Sequence, residues 1–70
     1  MLFYGRPEEL INAVLREIEL LNSLLNRDKR LDAFIKRKVE LLNLCLQQLK
    51  RLAPGEYQLV ALESCEIVPL

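Results

Sequence analysis

Between Pro7 and Pro54 the chain contains neither glycine nor proline. These are the two residue types that interrupt helices most strongly. Leucine, isoleucine and valine recur through the same span at intervals of three and four, which is the repeat of an α-helix. The span therefore predicts a protein built mainly from helices, and we assign it to the all-α class.

The length of the chain limits how stable it can be by itself. A chain of 70 residues forms one domain and buries too little surface to be comfortably stable alone. Disulfides, bound metal and oligomerisation are the usual supplements. Its two cysteines, Cys45 and Cys65, have no metal-binding spacing, and the chain has no histidine. Cys45 falls within a predicted helix, so we expect a reduced, packed thiol rather than a disulfide. Oligomerisation then remains as the expected supplement.

Charge and hydropathy suggest where the protein resides. Ten basic and ten acidic side chains cancel, which removes the general attraction to polyanions that a basic domain has. The first residues lack the basic start and apolar stretch of a secretory signal, and no apolar run approaches membrane-spanning length. We expect a cytoplasmic protein that does not bind membranes.

The first helix is predicted over about residues 7–26. Pro7 suits the first helical position, and Glu8 and Glu9 face the positive end of the helix dipole. Its apolar residues cover an arc of about 180°, which is wider than the seam of a two-stranded coiled coil. Such a face needs more than one neighbour.

The second helix is predicted over about residues 30–53. The polar run 26–30 marks a turn, in which Asp28 is well placed to cap the helix. Pro54 and Gly55 end it. The alternative is one continuous rod, because a spacing of three and four residues persists through the turn and is interrupted only by Asp28 and Asp32. We favour the hairpin, since a two-stranded rod would leave half of each wide apolar face exposed.

The last part of the chain, 56–70, has a different character. Its apolar residues predict one or two short strands, which Leu2, Phe3 and Tyr4 could pair with. The alternative is an extended tail in a groove of the helices. The predicted architecture is a two-helix antiparallel hairpin that dimerises into a four-helix bundle, with a short extended or β C-terminal segment. Residues 1–70 form a single domain.

Residues on the broad faces are assigned to the dimer or partner interface. Leu20 and Leu44 are added because each projects from the polar side of its helix, where an apolar side chain needs another surface to cover it. The predicted interface comprises Ile11, Val14, Ile18, Leu20, Leu21, Leu25, Ile35, Leu42, Leu44 and Leu49. Asn22 and Lys38 interrupt the apolar faces, and such residues can fix register and oligomeric state. Lys38 could pair with Glu17, or extend its ammonium group along the apolar surface to water.

Residues suited to catalysis are few. There is no histidine to transfer protons, and Ser23 and Ser64 lie in no recognisable nucleophile turn. Gly5 and Gly55 are the only glycines, so no phosphate-binding loop is present. We predict no catalytic residue, cofactor or metal, and expect a non-enzymatic protein.

Basic residues gather at the predicted hairpin tip. They are Arg27, Lys29, Arg30, Lys36, Arg37 and Lys38. This cluster is the one indication of nucleic-acid binding, and the zero net charge weakens it. The sequence favours a protein–protein interaction module, a small homodimeric adaptor, inhibitor or regulator with itself and another protein as partners. The alternative is a nucleic-acid-associated regulator that uses the basic tip.

Overall fold

The computed structural model describes residues 3–62 and 64–70. It contains two helices and three strands in the order β1 (Phe3–Gly5), α1 (Pro7–Ser23), α2 (Lys29–Lys50), β2 (Tyr57–Ala61) and β3 (Glu66–Pro69). Within these residues, no helix combines the length and hydropathy that crossing a bilayer requires.

Helix α1 begins where the sequence predicts and ends three residues early. Pro7 occupies its first turn, and the backbone N–H of Arg6 donates a hydrogen bond to Glu9 Oε1 at 3.4 Å. The helix stops at Ser23 rather than at residue 26. Asn26 has a φ of 68°, and this left-handed conformation cannot continue a right-handed helix.

Helix α2 is capped by the predicted residue. Asp28 Oδ1 accepts a hydrogen bond from the backbone N–H of Arg30 at 3.0 Å, which satisfies one of the free donors of the first turn. The helix ends at Lys50, three residues before the predicted end. The two helices pack against each other as a helical hairpin, and the continuous rod does not form.

The three strands form one antiparallel sheet in the order β1-β2-β3. Phe3 and Tyr4 of the predicted pairing segment lie in β1, and Leu2 lies outside the described residues. One cross-strand row joins Phe3, Leu59 and Ile67, and these residues pack toward the core. Because alternate residues of a strand point to opposite faces, the neighbouring row faces away from the helices. We call this row the outer sheet row; it consists of Tyr4, Gln58 and Val68.

The core lies between the hairpin and the inner face of the sheet. Leu10 and Leu49 are fully buried, and so is Leu59 of the central strand. The buried cluster comprises Leu10, Val14, Leu42, Cys45, Leu46, Leu49 and Leu59. One strand and two helices therefore share a single core.

The predicted fold class is wrong in the proportion of sheet that it allows. Helices hold 58% of the described residues, but the antiparallel sheet holds 18%, so it is more than a short C-terminal segment. The four-helix bundle was predicted because the helical faces are too wide for two helices to cover. The sheet covers much of that width within one chain, since Leu59 contributes a fully buried side chain to the core.

The prediction of a free thiol at Cys45 is also wrong. Cys45 and Cys65 form a disulfide with a Cα–Cα distance of 5.4 Å. Cys45 is fully buried on α2, whereas Cys65 lies in the turn before β3 with a φ of 51°. The bond attaches the β2–β3 turn to the C-terminal part of α2. It supplies part of the stability that the sequence analysis assigned to oligomerisation.

Candidate interaction surface

Five large apolar side chains are exposed on the part of the hairpin nearest the interhelical turn. Their exposed fractions lie between 37% and 61%. We call this set the tip surface; it comprises Leu20, Leu24, Leu31, Phe34 and Leu41. Single exposed leucines are ordinary in soluble proteins, but a group of five on two adjacent helices makes this part of the molecule a candidate interaction surface.

On α2 the tip surface belongs to a row of side chains that runs along one side of the helix, and the sheet covers this row only toward the C-terminal end. Phe34, Lys38, Leu41 and Cys45 follow one another at intervals of four, three and four residues, so they lie along one side of the helix. Cys45 is fully buried and bonded to the β2–β3 turn, whereas Phe34 is 60% exposed. The sheet therefore covers this side of α2 at its C-terminal part and leaves the N-terminal turns open.

Helix α1 shows the same change from covered to open. Leu10, Val14, Glu17, Leu21 and Leu24 lie in one row at intervals of four and three. Leu10 and Val14 are fully buried, whereas Leu24 is 46% exposed. The central strand of the sheet has five residues, which span about 17 Å at about 3.4 Å per residue. Helix α2 has 22 residues and spans about 33 Å at about 1.5 Å per residue, so the sheet is about half as long as the helix.

A groove of about 440 Å³ marks the place where the sheet ends. Its lining residues come from both helices and from the end of β2. They are Glu17, Leu21, Lys38, Leu41, Leu42, Val60, Ala61 and Leu62. The walls are apolar apart from Glu17 and Lys38. The groove therefore forms the inner corner of a step between the raised sheet and the lower tip surface.

The two polar residues predicted to set register lie in different environments. The Lys38 ammonium lies 5.3 Å from the ring centroid of Phe34, within the range of a cation–π interaction. Lys38 and Glu17 line the same groove, and an ion pair between them stays a prediction. Asn22 is exposed near the end of α1. A register role for Lys38 and Asn22 stays a prediction.

The predicted interface residues divide by burial. Val14, Ile35, Leu42 and Leu49 are buried inside the chain. Ile11, Ile18, Leu21 and Leu25 are half-buried, and only Leu20 and Leu44 are exposed. The predicted interface omits four exposed residues of the tip surface, which are Leu24, Leu31, Phe34 and Leu41. The lengths of the predicted elements could have indicated these residues. A short sheet cannot cover the apolar faces of two longer helices from end to end, so part of each face must stay exposed.

The basic residues of the tip lie on two sides of α2. Lys29 and Lys36 lie on one side of α2, seven residues apart, and Arg30 and Arg37 lie about 100° further round. Arg30 also bonds Asp28, with 3.3 Å between Arg30 Nε and Asp28 Oδ1. Polyanion binding by Arg27, Lys29, Arg30, Lys36 and Arg37 stays a prediction.

The described residues contain no cluster of three or more histidine, cysteine, aspartate or glutamate side chains that could hold a metal ion. What the structure brings together is an apolar step with charged margins. This arrangement suits contact with another macromolecule. No family model, curated protein or solved structure matches this chain.

Proposed function

We propose that the protein is a non-enzymatic protein–protein interaction module whose tip surface is covered by an apolar surface of a partner chain. The observation that carries the proposal is the exposure of five large apolar side chains on one part of the molecule. Covering them removes apolar area from water, at about 25 cal/mol per Å². Phe34 gives the surface an aromatic side chain, a residue type that is enriched at protein interfaces.

Two features favour a protein over a nucleic acid as the partner. The tip surface is apolar at its centre and basic at its margins, as protein interfaces are. A phosphate backbone would instead need the cations on one face, whereas Lys29 and Lys36 lie about 100° round α2 from Arg30 and Arg37. A titration with mixed DNA and RNA at low salt should therefore show no salt-dependent binding.

The proposal is tested by photo-crosslinking in cells that produce the protein. One variant carries p-benzoylphenylalanine in place of Phe34, and the matched control carries it in place of Leu15. Leu15 is 42% exposed but lies on the opposite side of α1 from Leu24, since nine residues correspond to half a turn beyond two full turns. We expect discrete higher-mass adducts from position 34 and none from position 15. Absence of adducts at position 34, or equal adducts at both positions, would refute the proposal.

A further inference from the structure

We propose that the occupant of the tip surface is a second copy of this chain, packed antiparallel so that each tip surface lies on the outer sheet row of the other copy. This inference rests on the proposed function and names the partner. It follows from the shape of the molecule, its exposed apolar residues and its charge distribution.

The shape of the molecule fits an antiparallel copy. The sheet covers one half of one side of the hairpin and stops at the groove, so that side has a raised half and a lower half. The molecule is 40 Å long and 19 Å across. When a second copy is turned end for end, its raised half fits the lower half of the first. The two β2–β3 turns then meet at the twofold axis, and both contacts are equivalent.

The raised half carries the apolar residues that this arrangement requires. In the outer sheet row, Tyr4 is 59% exposed and Val68 is 39% exposed. Gln58 lies between them and donates a hydrogen bond from Nε2 to Tyr4 Oη at 3.4 Å. The outer sheet row therefore presents an aromatic ring and an aliphatic side chain on the face of the sheet that a second copy would contact. Phe34 and Leu24 of the other copy would lie against them.

The distribution of charge along the chain also favours the antiparallel arrangement. Residues 27–38 hold six basic and two acidic side chains, a net charge of +4, and the whole chain is neutral. The remainder of the chain therefore carries −4. Copies packed in the same direction would bring two positive tips together. An antiparallel copy instead places each positive tip beside the acidic half of its partner, where Glu56 and Glu66 are exposed.

The solvent-accessible surface of one chain is also large enough to supply an interface of standard size. A compact protein of 8.2 kDa exposes about 4,500 Å² according to the size scaling of monomers, whereas this chain exposes 5217 Å². The difference, about 700 Å², is close to the roughly 800 Å² that each partner buries in an interface of standard size. A dimer through the step would bring the exposed surface per chain to the value typical of compact proteins.

The test uses the purified full-length chain with its disulfide intact. Isotope-labelled and unlabelled copies are mixed, with p-benzoylphenylalanine in place of Phe34 in the unlabelled copy. We expect adducts between copies, mapped by mass spectrometry to β1, β2 or β3 of the labelled chain. Adducts on α1 or α2 of the labelled chain would indicate tip-to-tip contact and overturn the arrangement, as would the absence of any adduct between copies.

Two matched variants test the same contact by sedimentation velocity. Leu24→Gln should raise the dimer dissociation constant at least about tenfold, since the change is repeated at both symmetry-related contacts. Leu15→Gln alters a leucine of similar exposure on the far side of α1 and should leave the constant unchanged. Unchanged helical circular dichroism would show that both variants fold. Equal effects of the two variants, or a wild-type chain that stays monomeric at every concentration, would overturn the inference.

The outcomes separate the two proposals. If the purified chain is monomeric while position 34 captures a different protein in cells, the tip surface is an interaction site but a second copy is not its occupant. If position 34 captures nothing in either setting, both proposals fail.

Discussion

Reduction of the Cys45–Cys65 disulfide should remove about 3 kcal/mol from the free energy of unfolding. The bond closes a loop between residues separated by 20 positions. In the chain-entropy model, a loop of this length lowers the entropy of the unfolded chain by about 11 cal/mol/K, which corresponds to about 3 kcal/mol at 25 °C. For a domain of this size, each kcal/mol shifts the melting temperature by about 4–8 °C. The reduced protein should therefore melt about 12–24 °C lower.

Reduction is the cleanest form of this perturbation because it leaves the volume of the core nearly unchanged. Cys45 is fully buried, so replacing it by alanine would add the cost of a cavity to the loss of the cross-link. Reduction keeps both sulfur atoms and releases only the constraint. It also frees the β2–β3 turn, which carries Leu62 of the groove, so hydrogen exchange in β3 should accelerate first.

The assay is thermal and urea denaturation at one protein concentration, with and without a reductant, and with the two free thiols counted by mass spectrometry. Cys65→Ser is the control, because it lacks the bond under both conditions. It should match the reduced wild type and should not respond to the reductant. If the fully reduced wild type melts at the temperature of the oxidised protein, the stabilising role of this bond is refuted.

Other substitutions test individual features of the fold by urea denaturation. Leu49→Ala should lower the free energy of unfolding by about 3 kcal/mol because Leu49 is fully buried. Leu44→Ala, at a 55% exposed position, should change it by less than about 0.5 kcal/mol. Similar losses in the two variants would contradict the described core. Asp28→Ala removes the cap of α2 and should cost about 1 kcal/mol, and no loss would show that the cap contributes nothing. Gly5→Ala should cost about 1–3 kcal/mol because Gly5 has a φ of 144°. Asn26→Gly should stabilise the turn by up to about 1 kcal/mol, since Asn26 holds a left-handed conformation; a loss of stability there would argue against the turn geometry.

The helical part of the fold could be predicted because its signals are local. Pro7 and Asp28 mark the two helix starts through interactions within one turn, and both occupy those positions in the structure. The ends were each predicted three residues too late. At Asn26 the backbone adopts a conformation that the sequence does not specify, because asparagine tolerates both helical and left-handed geometry.

The sheet and the disulfide depend on contacts between distant residues. The pairing of Phe3 with Leu59 joins strands from the two ends of the chain, and three-residue strands carry little intrinsic preference. Whether Cys45 and Cys65 can bond depends on the distance that the fold sets between their Cα atoms. The tip surface was missed for a related reason. Its exposure depends on where the sheet stops, and no helical periodicity contains that information.

The central strand of the sheet comes from the C-terminal part of the chain, and this order matters during synthesis. Leu10 and Leu49 are translated before Leu59, which completes the core around them. The first strand also emerges long before its pairing partner. A hairpin that lacks β2 therefore exposes the apolar residues that Leu59 covers in the folded protein, and such exposed surface makes a folding intermediate prone to aggregate.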